Sequence, residues 1–243
     1  MLFAFTDFHR TGPYSGEIEA AARRHCNTAF VHLMHDAPAF DPGAAGQLLA
    51  ALKRQFHPGD VCIAVVDPGV GGARYPVALK ADGCWFVGPD NGLFSAIAAH
   101  AKHGEWWEIT WRPESLSNSF HGRDLFAPFA GRLASGQTPT AIGAQPLYDP
   151  VTVNIDSERV IYIDGFGNSI TGISADSLSD DDKLLVNQQP LPHAFTFSSV
   201  PSGNAFWYRN SMGLVEIAIN QASAAAELDL RVGTRVRSEQ RPS

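Results

Sequence analysis

Apolar positions in the first half of the chain switch between two periods, and that switching sets the expected fold. Short apolar runs at 2–6, 28–33 and 61–66 read as strands, the last an unbroken run of the kind seen when both faces of a strand are buried. Between them, residues 14–25 carry Ile18, Ala21 and Ala22 at helical spacing with charges opposite, and the Ala- and Leu-rich 44–55 reads as a helix stopping before Pro58-Gly59. Residues 77–80 and 85–87 read as a hairpin turning at Asp82-Gly83, and 91–100 and 124–134 as further helices. This alternation predicts an α/β domain, a mostly parallel sheet with helices on both faces. Ligands of such sheets sit beyond the carboxyl ends of the strands, where Asp7 and Asp67 stand.

The pattern changes after a stretch carrying Gly136, Pro139, Gly143 and Pro146. Beyond it the runs are short and strand-like, at 151–155, 160–163, 169–173, 205–208, 214–219 and 228–232, with no long amphipathic helix. A smaller all-β barrel or sandwich is expected there. The expected division is 1–148 for the α/β domain and 149–243 for the β domain, with a polar tail at 235–243 that frays.

Composition narrows the class. At 243 residues, 44% hydrophobic and 18% charged, the chain has the make-up of a globular protein with a sizeable core. A net charge of −7 and a pI of about 5.7 argue against a nucleic-acid partner. No apolar run approaches the length of a membrane span and no basic, cleavable leader opens the chain, so no membrane partner is expected. Cys26, Cys62 and Cys84 are odd in number and set among apolar residues, which reads as buried, reduced thiols and a cytoplasmic protein.

The candidate chemistry begins at Val65-Val66-Asp67-Pro68-Gly69-Val70-Gly71-Gly72-Ala73-Arg74. A strand stops at an acid, then bends through glycines that admit close approach to a ligand. Taken alone, the segment is also a structural turn whose acid caps the backbone. Its spacing matches neither the P-loop nor the dinucleotide fingerprint. Arg74 is placed to pair with Asp67, which would keep the carboxylate ionised and suit it to orienting a water. His121, in Phe120-His121-Gly122-Arg123-Asp124, titrates near neutrality and is a candidate for the proton, or else a residue that starts a helix. Asp7 can take a pair of ribose hydroxyls or cap a turn. Asp164-Gly165-Phe166-Gly167-Asn168 offers a carboxylate, an aromatic face and an amide, or a plain hairpin turn. His32, His35 and Asp36 are the tightest group of metal-type ligands, but no established ligand spacing supports a site, and no metal is expected. No Gly-x-Ser-x-Gly elbow is present.

Taken together, these motifs resemble the family of S-adenosylmethionine (SAM) hydrolases, also called SAM hydroxide adenosyltransferases, relatives of the SAM-dependent fluorinase and chlorinase. The resemblance runs in order through Thr6-Asp7-Phe8, His35-Asp36-Ala37-Pro38, the Val65–Arg74 segment, Gly88-Pro89-Asp90-Asn91-Gly92, Phe120–Asp124, Asp164–Asn168 and Asn210-Ser211-Met212-Gly213. It implies an N-terminal α/β domain, a C-terminal β-barrel, and a homotrimer binding SAM between subunits. Asp67, Arg74 and His121 fall on the set that handles the water, and Asp7 on the carboxylate that holds the ribose hydroxyls. Asp164 and Ser211 match methionine-binding positions, Phe166 and Asn168 the adenine pocket, and Phe40 an aromatic wall near the ribose. SAM is then the substrate, adenosine and L-methionine are the products, and no cofactor is required. Where many members continue Thr-Asp-Phe-Gly, this chain has His9, and Gly12 replaces a second acid. The halogenases lack the Asp–Arg–His set, which favours water over halide. A non-catalytic SAM- or adenosine-binding module is the alternative reading, a SAM-dependent halogenase a further one.

Overall fold

The computed structural model describes residues 1–239. The chain divides into two compact units, the first ending at Asn154 and the second starting at Ile155.

The first unit is built on a seven-stranded sheet. Its strands are β1 (Leu2–Thr6), β2 (Phe30–Met34), β3 (Val61–Val65), β4 (Pro76–Ala81), β5 (Cys84–Pro89), β6 (Gly104–Ile109) and β7 (Ala144–Pro146), in the order β2-β1-β3-β5-β4-β6-β7. β2, β1, β3 and β5 are joined by parallel pairings. The β4–β5 hairpin, β6 and β7 extend the sheet with antiparallel ones. Its helices are α1 (Tyr14–Arg23), α2 (Pro42–Leu52), α3 (Ser95–His100) and α4 (Ala127–Ala134), with α1 packed on α4 and α2 on α3. Strand alternation sorts the core into two layers. Leu2, Ala4, Val61, Ile63 and Val65 meet Ile18 and Ala22 of α1 and Phe129 and Ala130 of α4. Residues of opposite parity, Phe3 and Phe86, join an aromatic row with Phe56 and Phe94.

Strand order reverses at β1: the chain leaves it for β2 on one side and returns to β3 on the other. The crevice beyond the carboxyl ends of β1 and β3 is therefore the topological switch point, the place where an open α/β sheet binds its ligand. Thr6 and Val65 are register partners, so Asp7 and Asp67 lie just beyond neighbouring strand ends.

The second unit holds two antiparallel sheets. β8 (Val160–Ile163), β9 (Ser169–Ser174), β12 (Ala205–Arg209) and β13 (Leu214–Ile219) form one in the order β12-β13-β9-β8. β10 (Lys183–Val186), β11 (Gln189–Leu191) and β14 (Val236–Glu239) form the other in the order β11-β10-β14. Their shared core centres on the fully buried Trp207, whose indole N–H donates to the Asp182 carbonyl at 3.1 Å. A short helix, α5 (Ala224–Glu227), follows β13.

Several expectations are corrected. The expected barrel is replaced by two sheets, neither closed on itself. Residues 151–155 alternate like a strand but pair with none, because their amides go to side chains: Val151 donates to Asp90 at 2.9 Å and Val153 to Ser95 at 3.1 Å. Residues 228–232 also form no strand: Leu228 and Leu230 donate back to Ala224 and Ala225, and Asp229 is left-handed at φ 48°. Far from fraying, the first part of the tail forms β14 against β10; the remainder of that expectation, at 240–243, lies outside the described residues. The helix expected over 91–100 starts only at Ser95, since Gly92 at φ 91° belongs to a turn. The helix expected from 124 begins as a π-helical turn, Gly122–Phe126, before α4. Cys26, Cys62 and Cys84 are buried free thiols.

Candidate active site

The crevice at the switch point is a cavity of about 100 Å³ lined by Asp7, Phe8, Phe40, Val65, Asp67, Pro68, Val70 and Ser119 through Gly122. Four of the predicted residues, Asp7, Phe40, Asp67 and His121, thus line the same cavity. Arg74 is not among the lining residues but bonds to two of them. Its Nε donates to both Asp67 oxygens, at 3.1 and 3.0 Å, and Nη2 donates to Oδ2. Nη2 also approaches His121 Nδ1 at 2.9 Å. The carboxylate is 4% exposed and the guanidinium 10%, so this fork-to-fork pair is largely desolvated and its geometry is firmly held. Phe126 closes over the guanidinium, 5.3 Å from its ring centre.

The glycines explain how His121 reaches Arg74, 47 residues away in sequence. Gly71 has φ 78°, and a Cβ there would lie 2.4 Å from the Asn118 carbonyl oxygen. Only glycine lets the 117–121 loop settle on this turn. The π-helical turn then begins directly after His121; such turns recur at functional sites. Asn91 fixes the other side, donating from Nδ2 to the Val66 carbonyl at 2.9 Å.

His121's protonation follows from its partners. A guanidinium only donates, so Nδ1 must accept, and the ring proton sits on Nε2. Burial, then the Arg74 charge, lowers the His121 pKa from the ordinary histidine value, with Asp67 opposing. The imidazole is therefore neutral at pH 7 and its one basic lone pair is engaged by Arg74. Asp7 is shifted the other way: burial raises its pKa, its own amide and His9 pull it back, and Asp67 adds to the rise. Two backbone outliers flank this wall: His9 at φ 60° and Phe40 at φ 62°, the latter 82% exposed. Left-handed aromatics are rare and concentrate at functional sites.

The second unit carries the remaining predicted residues. Asp164–Asn168 is the turn between β8 and β9, and Asp164 organises it. Its carboxylate accepts from the amides of Phe166 and Asn168, both at 2.9 Å, and from Asn168 Nδ2 at 3.0 Å. Gly167 is required at φ 83°, where a Cβ would meet Ser223 Oγ at 2.0 Å. Asp164, Phe166 and Asn168 line a cavity of about 670 Å³ with Phe197, Tyr208, Glu216 and Ser223. Phe166 is 83% exposed at its rim. Ser211 is not among the lining residues; it lies exposed in the Asn210–Gly213 turn.

Glu216 escaped the sequence reading. It is buried, accepts from Tyr208 Oη at 2.6 Å and Asn210 Nδ2 at 2.9 Å, and burial raises its pKa. The available signal was a single acid inside the otherwise apolar strand Leu214–Ile219. Among the described residues, no group of three His, Cys, Asp or Glu is arranged to hold a metal ion, and no helix is long and apolar enough to cross a membrane.

Comparison with known proteins yields two family profiles, SAM hydroxide adenosyltransferase N-terminal domain over residues 2–143 and C-terminal domain over 158–237. An (R)-S-adenosyl-L-methionine hydrolase of Thermus thermophilus is 34% identical over 256 residues, covering 97% of this chain and 98% of that protein. One from Salinispora arenicola is 36% identical over 210 residues, 79% of each. A solved structure of an uncharacterized conserved protein from Thermotoga maritima matches with a TM-score of 0.90 and 27% identity, covering 99% of this chain and 100% of that one.

Proposed function

The chain belongs to the SAM hydroxide adenosyltransferase family, and we propose that it hydrolyses SAM to adenosine and L-methionine by attack of water on the ribose C5′. The observation that carries this reading is the Asp67–Arg74–His121 linkage on a cavity wall beside Asp7.

The new bond forms between the water oxygen and C5′. The C5′–S bond breaks with its electron pair going to sulfur, which turns the sulfonium into the neutral thioether of methionine. The leaving group is already cationic and activated, so the protein's task is to position the nucleophile in line. Asp67 accepts a hydrogen bond from the water and aims its lone pair; Arg74 fixes Asp67. His121, with Nδ1 engaged, presents Nε2–H and holds the water oxygen as a donor. The proton goes to Asp67. This departs from the sequence-based expectation that His121 accepts or relays it. A carboxylate held by arginine is a weak base, but the alkyl-oxonium formed on attack is a strong acid and needs no stronger one.

Asp7 takes the two ribose hydroxyls and Phe40 walls the ribose. Asp164 and Ser211 serve the methionine end, Phe166 and Asn168 the adenine. We place SAM between subunits of a homotrimer, each site drawing on two copies. The reaction balances without a metal or cofactor. Buried free thiols fit a cytoplasmic location.

The test incubates purified protein with SAM and follows adenosine and methionine by chromatography. Equimolar release of both is expected, with loss in Asp67→Ala. Binding without turnover would establish the non-catalytic module, and a halide-dependent 5′-halo-adenosine the halogenase. An active monomer by light scattering would overturn the trimeric site.

A further inference from the structure

A line of polar side chains that the reaction does not use runs from α1 to the end of β1. Glu19 Oε2 lies 2.9 Å from His32 Nε2, His32 Nδ1 lies 2.7 Å from His35 Nε2, and His35 Nδ1 lies 2.8 Å from Thr6 Oγ1. The Phe8 amide donates to Thr6 Oγ1 at 3.3 Å. His35 and Thr6 are 1% and 0% exposed, so their polar atoms must be satisfied by partners within the protein.

One order of donors satisfies every atom along the line. Glu19, its pKa lowered by Arg23 and then His32, only accepts. His32 therefore donates from Nε2 and accepts at Nδ1. His35 donates from Nε2 and accepts at Nδ1, and the Thr6 hydroxyl donates to His35 while accepting from Phe8. Burial, then His32 and Arg10, pushes the His35 pKa down to about 4, with Asp36 opposing. Its Nδ1 lone pair stays open to Thr6 across the neutral range.

The backbone of the same segment grips the far side of the loop. His9 N donates to the His35 carbonyl at 2.6 Å, and Ala37 N to the Thr6 carbonyl at 3.1 Å. Residues 6 and 9 are thus tied to the 35–37 segment directly, and Phe8 only through the Thr6 hydroxyl; the one left between them is Asp7, which lines the cavity. His9 is left-handed, so the loop would relax elsewhere without those ties.

We propose that His35 is a positioning residue for substrate, holding through Thr6 the angle at which the Asp7 carboxylate meets a vicinal diol. This rests on the reading of Asp7 as the ribose ligand. It assigns a role to the histidine pair that metal-ligand spacing left unused, and it makes sugar discrimination depend on a residue that never touches the sugar.

The experiment measures, on the intact protein, the affinities for adenosine and 2′,3′-dideoxyadenosine, which lacks the diol. Wild type, Asp7→Asn, Thr6→Val, His35→Gln and His35→Asn are compared. Asp7→Asn is expected to abolish the preference for adenosine. Thr6→Val and His35→Gln are expected to cut it about tenfold, the loss of a well-aimed charged hydrogen bond, with dideoxyadenosine affinity unchanged. His35→Asn keeps an acceptor near the place of Nδ1 and should retain the preference to within about threefold. Equal weakening toward both nucleosides in Thr6→Val and His35→Gln, or an unchanged ratio in both, would overturn the proposal. An unchanged ratio in Asp7→Asn would instead remove the diol reading itself, and the proposal with it.

Discussion

Replacing His121 by asparagine separates two jobs that a histidine in a hydrolytic site can do. In the structure Nδ1 accepts from Arg74 at 2.9 Å, and the asparagine amide oxygen stands near the same place, so the Arg74 contact is kept. What asparagine removes is the Nε2–H and any capacity to act as a base. If His121 only donates to the water, the loss is one hydrogen bond, about 0.5–1.5 kcal/mol, or about two- to thirteenfold in rate at 1.36 kcal/mol per decade. If His121 were the general base, the loss would be about 10²–10⁴-fold. Adenosine formation under single-turnover conditions reads the difference, with Asp67→Asn as the comparison expected in the larger range. The pH profile tests the neutral ring that either role requires. His121's pKa lies below the ordinary 6.5, and its protonation puts a hydrogen on Nδ1, facing a guanidinium that cannot accept it. Wild-type activity should therefore fall as pH drops below 6.5 toward that lowered pKa, and His121→Asn should lack this limb. A loss in His121→Asn equal to that in Asp67→Asn, in protein of unchanged Tm, would refute the donor role.

Two further outcomes follow from the backbone and from burial. His9→Gly removes a left-handed penalty of about 1–2 kcal/mol against a gain in unfolded-chain freedom of about 0.4–1 kcal/mol, so a rise in Tm of up to about 6 °C is expected; a fall would mean that the His9 side chain is itself stabilising. His35 binds a proton at about 4 in the fold and near 6.5 unfolded. Between these values the unfolded state holds the extra proton, so stability is lost as pH falls through that window, about 3 kcal/mol in all. Denaturant titrations at pH 7 and pH 4.5 should show this loss in wild type and a smaller one in His35→Asn; equal losses of unfolding free energy in the two proteins would show that His35 is charged in the fold.

How much of this was legible depended on which physical signal each element leaves in the chain. β1 and β3 are buried on both faces and read as unbroken apolar runs. β6 is half exposed, with Gly104 and Glu105 at its outer end, and carries no such run. The hairpin at Asp82-Gly83 announced itself through turn chemistry, with both residues at positive φ. The misreading at 151–155 shows the limit of alternation: Val151 and Val153 are β-branched, but their amides are claimed by Asp90 and Ser95, partners about 60 residues back that no local pattern can reveal. For the site, the acids at the ends of β1 and β3 and the Asp67–Arg74 pair were readable. The direction of the Arg74–His121 bond, and hence the tautomer, was not, because it depends on a loop seated on Gly71.

That tautomer changes what the fold is asked to supply. An enzyme breaking a neutral bond needs a strong base or an activated nucleophile, and it would have to leave a lone pair free to act. Here the most basic group of the set has its lone pair committed to an arginine, and the acid beside it is gripped by the same guanidinium and 4% exposed. Such an arrangement is poor at removing protons and good at fixing one water in one orientation. It is adequate only if the substrate brings its own activation, as a sulfonium does. The stiffness of the Asp67–Arg74–His121 linkage, the obligatory Gly71 and the clamped Asp7 loop are then parts of one requirement: with little chemical work left for the protein, the rate rests on alignment, and alignment rests on groups that cannot move.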